Sequence, residues 1–217
     1  MPTTNAHARR RTSGRSSGGD EPAVREAILK ATAALLAETG YSRLRVHDIL
    51  AAAEVARGSF YFYFAGKQDV LAELVRRAVA GGLDAAQPWL GNPRDKVSAL
   101  RAGITAGAQL WQRNGPILRA IVENWRDDPV LTELWQAQMD TFTQATIAQI
   151  AADRTASARL ARLGVDVPAL AASLTWLGER LYYLAASATP PFDRPETLVE
   201  TLLYHWTTAV YGKPVTR

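Results

Sequence analysis

Residues Arg57 to Lys67 read RGSFYFYFAGK, so that five consecutive aromatic residues, Phe60 to Phe64, stand between an arginine and a Gly-Lys pair. Taken alone, the alternation of phenylalanine and tyrosine is typical of a half-buried β-strand. The flanking sequence favours a helix, because only three residues separate the run from a preceding helical pattern and no second strand is available nearby. In a helix, the first and last of the five rings share one face and point inward, while Tyr61 and Tyr63 lie on other faces.

Two further helices precede the aromatic run. Asp20-Glu21-Pro22 is typical of a helix start and Gly40 of a helix end, so the first helix is predicted over Pro22 to Thr39. The second is predicted over Val46 to Ala53 from its apolar periodicity. Three short helices, the last two joined by a tight turn and the third beginning with an arginine, are typical of a helix-turn-helix DNA-binding domain.

The third helix of such a domain enters the major groove by its N-terminal end. That geometry places Arg57 against a guanine edge, lets the backbone approach closely at Gly58, and brings the Ser59 hydroxyl to a base or a phosphate. At the start of the next helix, the Lys67 ammonium and free backbone N–H groups could together hold a phosphate. The predicted DNA contacts are Arg57, Gly58, Ser59, Tyr61, Tyr63 and Lys67.

The excess positive charge is confined to the first third of the chain. Residues 1–67 carry 10 Lys/Arg against 6 Asp/Glu, whereas residues 68–217 carry 15 of each. This asymmetry is typical of a nucleic-acid-binding segment attached to a neutral body. It fits a tag-like basic tail equally well, since four of the arginines lie in the Ser/Gly-rich stretch 1–19, which we predict to be a flexible arm.

Composition excludes several protein classes. The chain has no cysteine, which rules out disulfides and a thiolate nucleophile, and no apolar run approaches the roughly 20 residues that span a bilayer. Because no signal-peptide core follows the basic start, we expect a cytoplasmic protein. The three histidines are widely separated and no nucleophile-elbow or phosphate-loop motif occurs, so the sequence predicts no enzyme, metal site or cofactor.

The rest of the chain is predicted to be all-helical, with turns such as Asn114-Gly115-Pro116 and a loop near Arg154 to Asp166. Two late helices, the second over Pro195 to Tyr211, carry extended apolar stripes. The adjacent residues Glu179 and Arg180 are predicted to form an ion pair on the surface or at an interface. Such stripes could pack within one chain, but two adjacent ones favour a symmetric four-helix dimer interface. The predicted interface residues are Leu170, Leu174, Leu177, Leu181, Leu198 and Leu202.

The stretch Arg45 to Leu74, RVHDILAAAEVARGSFYFYFAGKQDVLAEL, resembles the DNA-binding signature of the TetR family of bacterial regulators. The shared features are the "DI" of the short helix, the Arg-x-Ser/Thr-Phe-Tyr-x-x-Phe recognition helix, and a lysine followed by Val-Leu. Later segments resemble the EthR-like branch of that family, in the same order: RAGI at 101–104, LTELW at 131–135, GERLYYLA at 178–185 and HWTTAVYG at 205–212. The resemblance implies a DNA-binding domain over residues 20–67 and a helical effector-binding and dimerisation domain over residues 68–217.

The resemblance also implies a long apolar ligand tunnel with aromatic walls, although aromatic residues at helical spacing are also common in ordinary cores. The predicted lining residues are Trp111, Trp135, Phe142, Thr146, Trp176 and Trp206.

Three positions depart from the family pattern. Glu54 replaces the usual turn glycine, which predicts a strained positive φ, and Ala56 replaces the usual serine cap of the third helix. Gly178 replaces a ligand-binding asparagine, so we do not expect that polar anchor here.

These patterns together predict a homodimeric one-component regulator, a repressor that binds a palindromic double-stranded DNA operator and is released by a small apolar or aromatic effector. Two other classes remain open at this point. One is an activating or architectural DNA-binding protein that has no effector. The other is an all-α lipophile carrier or enzyme with a vestigial DNA-binding domain.

Overall fold

A computed structural model describes residues 21–91 and 93–212, and the regular structure in those residues is entirely helical. This confirms the predicted all-α fold. The arm at residues 1–19 and the Asp20 cap lie outside the described residues. Eleven α-helices are found in the described part: α1 Glu21–Thr39, α2 Val46–Ala53, α3 Arg57–Tyr63, α4 Lys67–Val79, α5 Gly82–Leu90, α6 Lys96–Arg113, α7 Gly115–Asn124, α8 Pro129–Ala152, α9 Arg154–Arg162, α10 Val167–Ala186 and α11 Pro195–Tyr211.

The first three helices close around side chains that are completely removed from solvent. Ile28 of α1, Ile49 of α2 and Phe60 of α3 each have 0% exposure. The same apolar cluster continues through α4 into α7 and α8, where Leu118 and Leu131 are also fully buried. Helix α4 therefore belongs both to the N-terminal core and to the larger helical body, and the predicted domain boundary at residue 67 falls at its first residue.

An ion-pair cluster on the surface joins α1 to α4. The Arg77 guanidinium donates two hydrogen bonds to the Glu26 carboxylate, at 2.8 and 2.6 Å, and a third to Glu73 at 3.0 Å. Arg25 reaches the same Glu73 at 2.9 Å. Exposed ion pairs add little stability singly, but the bidentate geometry fixes how α1 lies along α4.

The predicted loop near Arg154 to Asp166 is wrong in its first part, because residues Arg154–Arg162 form helix α9. The Asp153 carboxylate caps this helix by accepting from the backbone N–H groups of Thr155 and Ala156. Leu160 is 1% exposed and anchors the helix in a small apolar cluster with α10 and α11. An arginine-rich segment thus becomes helical because it has a capped start and one buried face.

Within the described ranges, no single helix is both long and apolar enough to cross a bilayer, although the bent pair α9 and α10 reaches that limit when taken together. In the same ranges no group of three or more His, Asp or Glu side chains is arranged to hold a metal ion.

Candidate functional site

Helices α2 and α3 form a helix-turn-helix whose turn is fixed by Glu54. This residue ends α2 in the left-handed region, at φ 54° and ψ 41°, and its N–H points to the carbonyls of Leu50 and Ala51. The predicted positive φ is therefore confirmed. Helix α3 then begins after Ala56, which provides no side-chain cap, as its methyl group requires. The turn keeps its shape at the cost of strain in a residue that has a Cβ.

We expect Glu54→Gly to raise the free energy of unfolding by about 1 kcal/mol, because glycine adopts the left-handed conformation without steric strain. The corresponding rise in melting temperature is about 2–4 °C for a chain of this length. Glu54→Ala is the matched control, since it removes the same carboxylate and keeps the Cβ. The melting temperatures of the parent and of the two variants are compared by thermal unfolding. An equal rise in both variants would show that loss of the charge, and not relief of strain, stabilises the protein.

Helix α3 buries one side and presents the other to solvent. Phe60 and Phe64 are 0% and 5% exposed, which confirms that they belong to the core. Arg57 and Tyr61 lie on the solvent side, where the guanidinium sits over the tyrosine ring at 5.5 Å from its centroid. A Cβ at Gly58 would meet nothing within 4 Å, so the fold itself does not require glycine there. The exposed side of α3 thus presents one guanidinium group beside an aromatic ring.

Two other predicted contacts on α3 are less accessible. Ser59 is partly buried near the start of the helix, and Tyr63 is partly buried against the N-terminal core. Phe62, which we did not predict as a contact, is 71% exposed and is the most exposed of the large apolar side chains described. Its ring packs edge-on against Tyr63, at 4.9 Å between centroids. Since it lies two residues from the buried Phe60, helical geometry alone could have identified it as outward-facing.

The Lys67 ammonium is turned into the protein and does not project from it. It donates hydrogen bonds to the carbonyls of Tyr41 and Leu44, at 3.0 and 2.9 Å, and lies 4.3 Å from the centre of the Tyr41 ring. Burial lowers the pKa of this amine. Lys67 therefore ties the start of α4 to the loop between α1 and α2, and at most one of its N–H groups is left for a phosphate.

We expect Lys67→Met to lower the free energy of unfolding by about 1.5–3 kcal/mol, because two carbonyls lose a charged hydrogen-bond donor. Lys30→Met is the matched control, since Lys30 is exposed on α1. Denaturant unfolding measures the difference. If Lys67→Met is as stable as the parent but binds DNA with a shallower salt dependence, the phosphate role predicted from the sequence is correct and the structural one is wrong.

A mostly apolar cavity of about 170 Å³ lies in the body between α4, α5, α6, α8, α10 and α11. Five of the six predicted lining residues are found in its wall: Trp111, Trp135, Phe142, Thr146 and Trp206. Trp176 is not among them, and its assignment as a lining residue is wrong. It follows Thr175, which does line the cavity, and the 100° step of the helix turns its ring outward, where it is 37% exposed and packs on Trp125 at 6.1 Å.

The cavity also contains a carboxyl group that the sequence predicts to lie on the surface. Glu179 is only 6% exposed and lines the wall, so its predicted placement on the surface is wrong, although Arg180 Nε lies 3.9 Å from its Oε2. Burial raises the pKa of this carboxyl, against the opposing charges of Arg180 and Arg126 and the nearby Trp135 indole. Gly178 lines the same wall without a side chain, and a Cβ there would lie 3.9 Å from Tyr182, within ordinary contact distance.

Four of the six leucines predicted for a dimer interface are buried in the core of a single chain. Leu174, Leu181, Leu198 and Leu202 are 3%, 7%, 2% and 1% exposed, so they have no surface left to offer a partner and their assignment is wrong. Leu170 and Leu177 are only partly buried and remain predicted interface residues. The large exposed apolar side chains on α10 and α11 are instead Trp176 and Tyr204, at 37% and 51% exposure.

Comparison with known protein families gives two matches within the chain. Residues 28–74 match the family described as bacterial regulatory proteins, tetR family, and residues 100–212 match the family described as transcriptional regulator EthR, C-terminal domain. The first match covers the helix-turn-helix, and the second covers α6 to α11 except for the first residues of α6.

Individual relatives give the same result. The HTH-type transcriptional regulator EthR of Mycolicibacterium smegmatis is 34% identical over 211 residues, which cover 94% of this chain and 92% of the relative. A solved TetR-family regulator from Syntrophomonas wolfei superimposes with a TM-score of 0.66 at 20% identity, over 90% of this chain and 99% of the other. Thermus thermophilus FadR, a TetR-family repressor solved with lauroyl-CoA, has a TM-score of 0.60 at 22% identity, over 89% and 96% of the two chains. These names are those of regulators and not of enzymes.

Proposed function

Because the chain belongs to the TetR family of transcriptional regulators, with a C-terminal domain of the EthR type, we propose that it is a homodimeric repressor released from a palindromic operator by a small-molecule effector. DNA binding and regulation of transcription follow from the family itself. Repression, the operator contacts, the effector cavity and a cytoplasmic location are the parts that we propose.

The observation that carries the DNA-binding part is the exposed side of α3. Arg57 and Tyr61 are exposed beside a glycine that the fold does not require, on a helix held in place by the fully buried Phe60. In our proposal Arg57 binds a guanine edge, while Ser59, Tyr61 and Tyr63 contact phosphates or bases. Phe62 joins this set as an apolar contact to a thymine methyl group, which accounts for its exposure.

Recognition of a palindrome requires two copies of this helix on successive major grooves. We propose that α10 and α11 of two chains form the dimer interface, through the outward-facing residues Trp176 and Tyr204 and the partly buried Leu170 and Leu177. The exposed aromatic rings support this assignment, since a four-helix interface needs an apolar surface that is not already used by the core of one chain.

The effector part of the proposal rests on the cavity between α4 and α11. We consider two conformations of the dimer, and only one of them spaces the two DNA-binding domains correctly for successive major grooves. A ligand that binds the other conformation more tightly would shift the dimer into it and release the DNA. Its effect is limited by the ratio of its affinities for the two states. The cavity supports this because it is mostly apolar and is bordered by α4, which also packs in the N-terminal core.

The experiment that tests the proposal is binding of the purified protein to DNA from upstream of its own gene and to scrambled DNA of the same composition, over a series of salt concentrations. We expect specific binding that weakens steeply with salt, because arginine contacts to phosphates release counterions. Equal and weak binding to both DNAs would be followed by selection from random sequences. Failure of that selection to enrich a palindrome would overturn the proposed operator recognition.

A further inference from the structure

The cavity in the body has a marked charge asymmetry. Its wall is formed by apolar and aromatic side chains, by Gln138, Thr146, Thr175 and the Tyr182 hydroxyl, and by a single ionisable carboxyl, that of Glu179. None of the described residues that line it is a lysine, an arginine or a histidine. A ligand inside therefore faces one carboxyl group and no basic side chain within the wall, which disfavours an anionic ligand.

No hydrogen bond of good geometry reaches the Glu179 carboxylate from the described residues, although the Trp135 indole N–H lies close to it. The closest cation, Arg180, has its Nε 3.9 Å from Oε2, which is beyond hydrogen-bond distance, and its side chain is 51% exposed. That guanidinium lies over the Tyr183 ring, at 5.0 Å from the centroid. A carboxylate that is 6% exposed normally needs paired donors, so this one is left with acceptor capacity directed at the cavity it lines.

A second polar group in the wall is also unpartnered. The Trp135 indole N–H is buried, the residue is 2% exposed, and it makes no hydrogen bond within the described part of the chain. It lies near enough to Glu179 to oppose the effect of burial on the pKa of that carboxyl, and so favours its charged form. The two groups thus mark one polar point in a mostly apolar cavity.

Aromatic side chains line the same cavity. Besides Trp135, the wall contains Trp89, Trp111, Phe142, Tyr182 and Trp206. Trp111 and Tyr182 are stacked, with centroids 6.1 Å apart and planes inclined by 22°. Electron-rich ring faces attract cations when water is excluded, and a carboxylate beside such rings is the arrangement that recognises organic ammonium groups.

We infer that the effector cavity takes an organic cation, an amine with an apolar or aromatic body, whose ammonium group is bound by Glu179. This inference rests on the proposed function, in which the same cavity holds the effector, and it adds a positive charge to the small apolar or aromatic effector predicted from the sequence. The cavity volume of about 170 Å³ sets the size of the ligand. A cavity of about 150 Å³ takes up benzene, so a single ring with a short amine tail is a suitable probe.

The test uses the full-length protein and three compounds that differ in their polar end: 3-phenylpropylamine, 3-phenylpropan-1-ol and 3-phenylpropanoate. Affinities are measured by isothermal titration calorimetry at neutral pH. We expect the amine to bind roughly 10- to 100-fold more tightly than the alcohol, since a hydrogen bond to a charged group accounts for that difference, and the carboxylate to bind most weakly.

The decisive variant is Glu179→Gln, which keeps the shape of the side chain and removes its charge. We expect it to lose roughly 10- to 100-fold of the affinity for the amine and to leave the affinity for the alcohol within about threefold. Glu133→Gln is the matched control, because Glu133 is an exposed glutamate on α8 and its loss changes the net charge equally. Thermal unfolding of both variants checks that each is folded.

Three results would overturn the inference, and they separate it from the proposed function. If the alcohol binds the parent as tightly as the amine, or if Glu179→Gln weakens both compounds equally, the preference for a cation is wrong, while the cavity remains an effector site. If none of the three compounds binds the parent, the inference of an arylalkylamine-type effector is wrong. Operator binding, measured without ligand, is unaffected by any of these outcomes.

Discussion

Arg57→Ala will weaken binding to the operator by roughly 10- to 100-fold, because one bidentate contact to a guanine contributes about 1–3 kcal/mol of discrimination. The loss should be larger on the operator than on scrambled DNA, so the ratio between the two affinities falls. Arg57 is exposed at the first position of α3 and makes no ion pair with a described residue, only the contact with the Tyr61 ring. Its removal should therefore leave the melting temperature almost unchanged.

Arg162→Ala provides the matched control for this measurement. Arg162 is exposed at the end of α9, in the helical body, and its loss changes the net charge of the protein by the same amount. Operator affinity of the two variants is compared by fluorescence anisotropy across salt concentrations. A loss that is equal on operator and scrambled DNA, with a salt slope reduced by about 1, would make Arg57 a phosphate contact and not a reader of bases.

Phe60→Ala will lower the free energy of unfolding by about 3–5 kcal/mol, which is the usual cost of deleting a buried phenylalanine. Phe60 has 0% exposure and contacts Phe64 and Tyr61 at ring-centroid distances of 6.0 and 5.3 Å. A loss of this size is comparable with the whole stability of many domains, so operator binding should disappear together with the fold of α1 to α3. Denaturant unfolding followed by circular dichroism measures it.

Phe62→Ala is the natural control, since it removes the same side chain from the same helix. Phe62 is 71% exposed, so its truncation should change stability by no more than about 0.5 kcal/mol. The operator affinity should nevertheless fall, because the proposed contact to a thymine methyl is lost. If Phe62→Ala binds the operator like the parent, the ring has no role in recognition and its exposure is unexplained.

The sequence was sufficient to predict the helix-turn-helix almost residue by residue. The bounds of α2 agree with the prediction, and so does the strained conformation of Glu54. These features depend on apolar periodicity, on a three-residue turn and on a residue forced into the left-handed region. Each of them is determined by residues that are close together in the sequence, so the sequence alone can predict it. The aromatic run illustrates this well, because its strand-like alternation was outweighed by the short connection that precedes it.

The sequence was less successful in predicting what packs against each face of a helix. An apolar stripe shows that a face is covered, but not whether its own chain or a partner covers it, and Leu174 and Leu198 proved to be internal. A single step along α10 separates the outward Trp176 from Thr175 in the cavity wall. Glu179 was misplaced for a similar reason, since an adjacent arginine suggests a surface pair although neighbours on a helix point in different directions.

Helix α4 has thirteen residues and is therefore about 20 Å long. Its first residue, Lys67, holds the loop between α1 and α2, and its last, Val79, lines the cavity. Under the proposed function, one rigid element then connects the two binding events, and thermodynamic linkage must operate in both directions. Operator DNA would lower the affinity for the effector by the same factor by which the effector lowers the affinity for DNA. A cell with more copies of the operator would accordingly need a higher dose of effector to relieve repression.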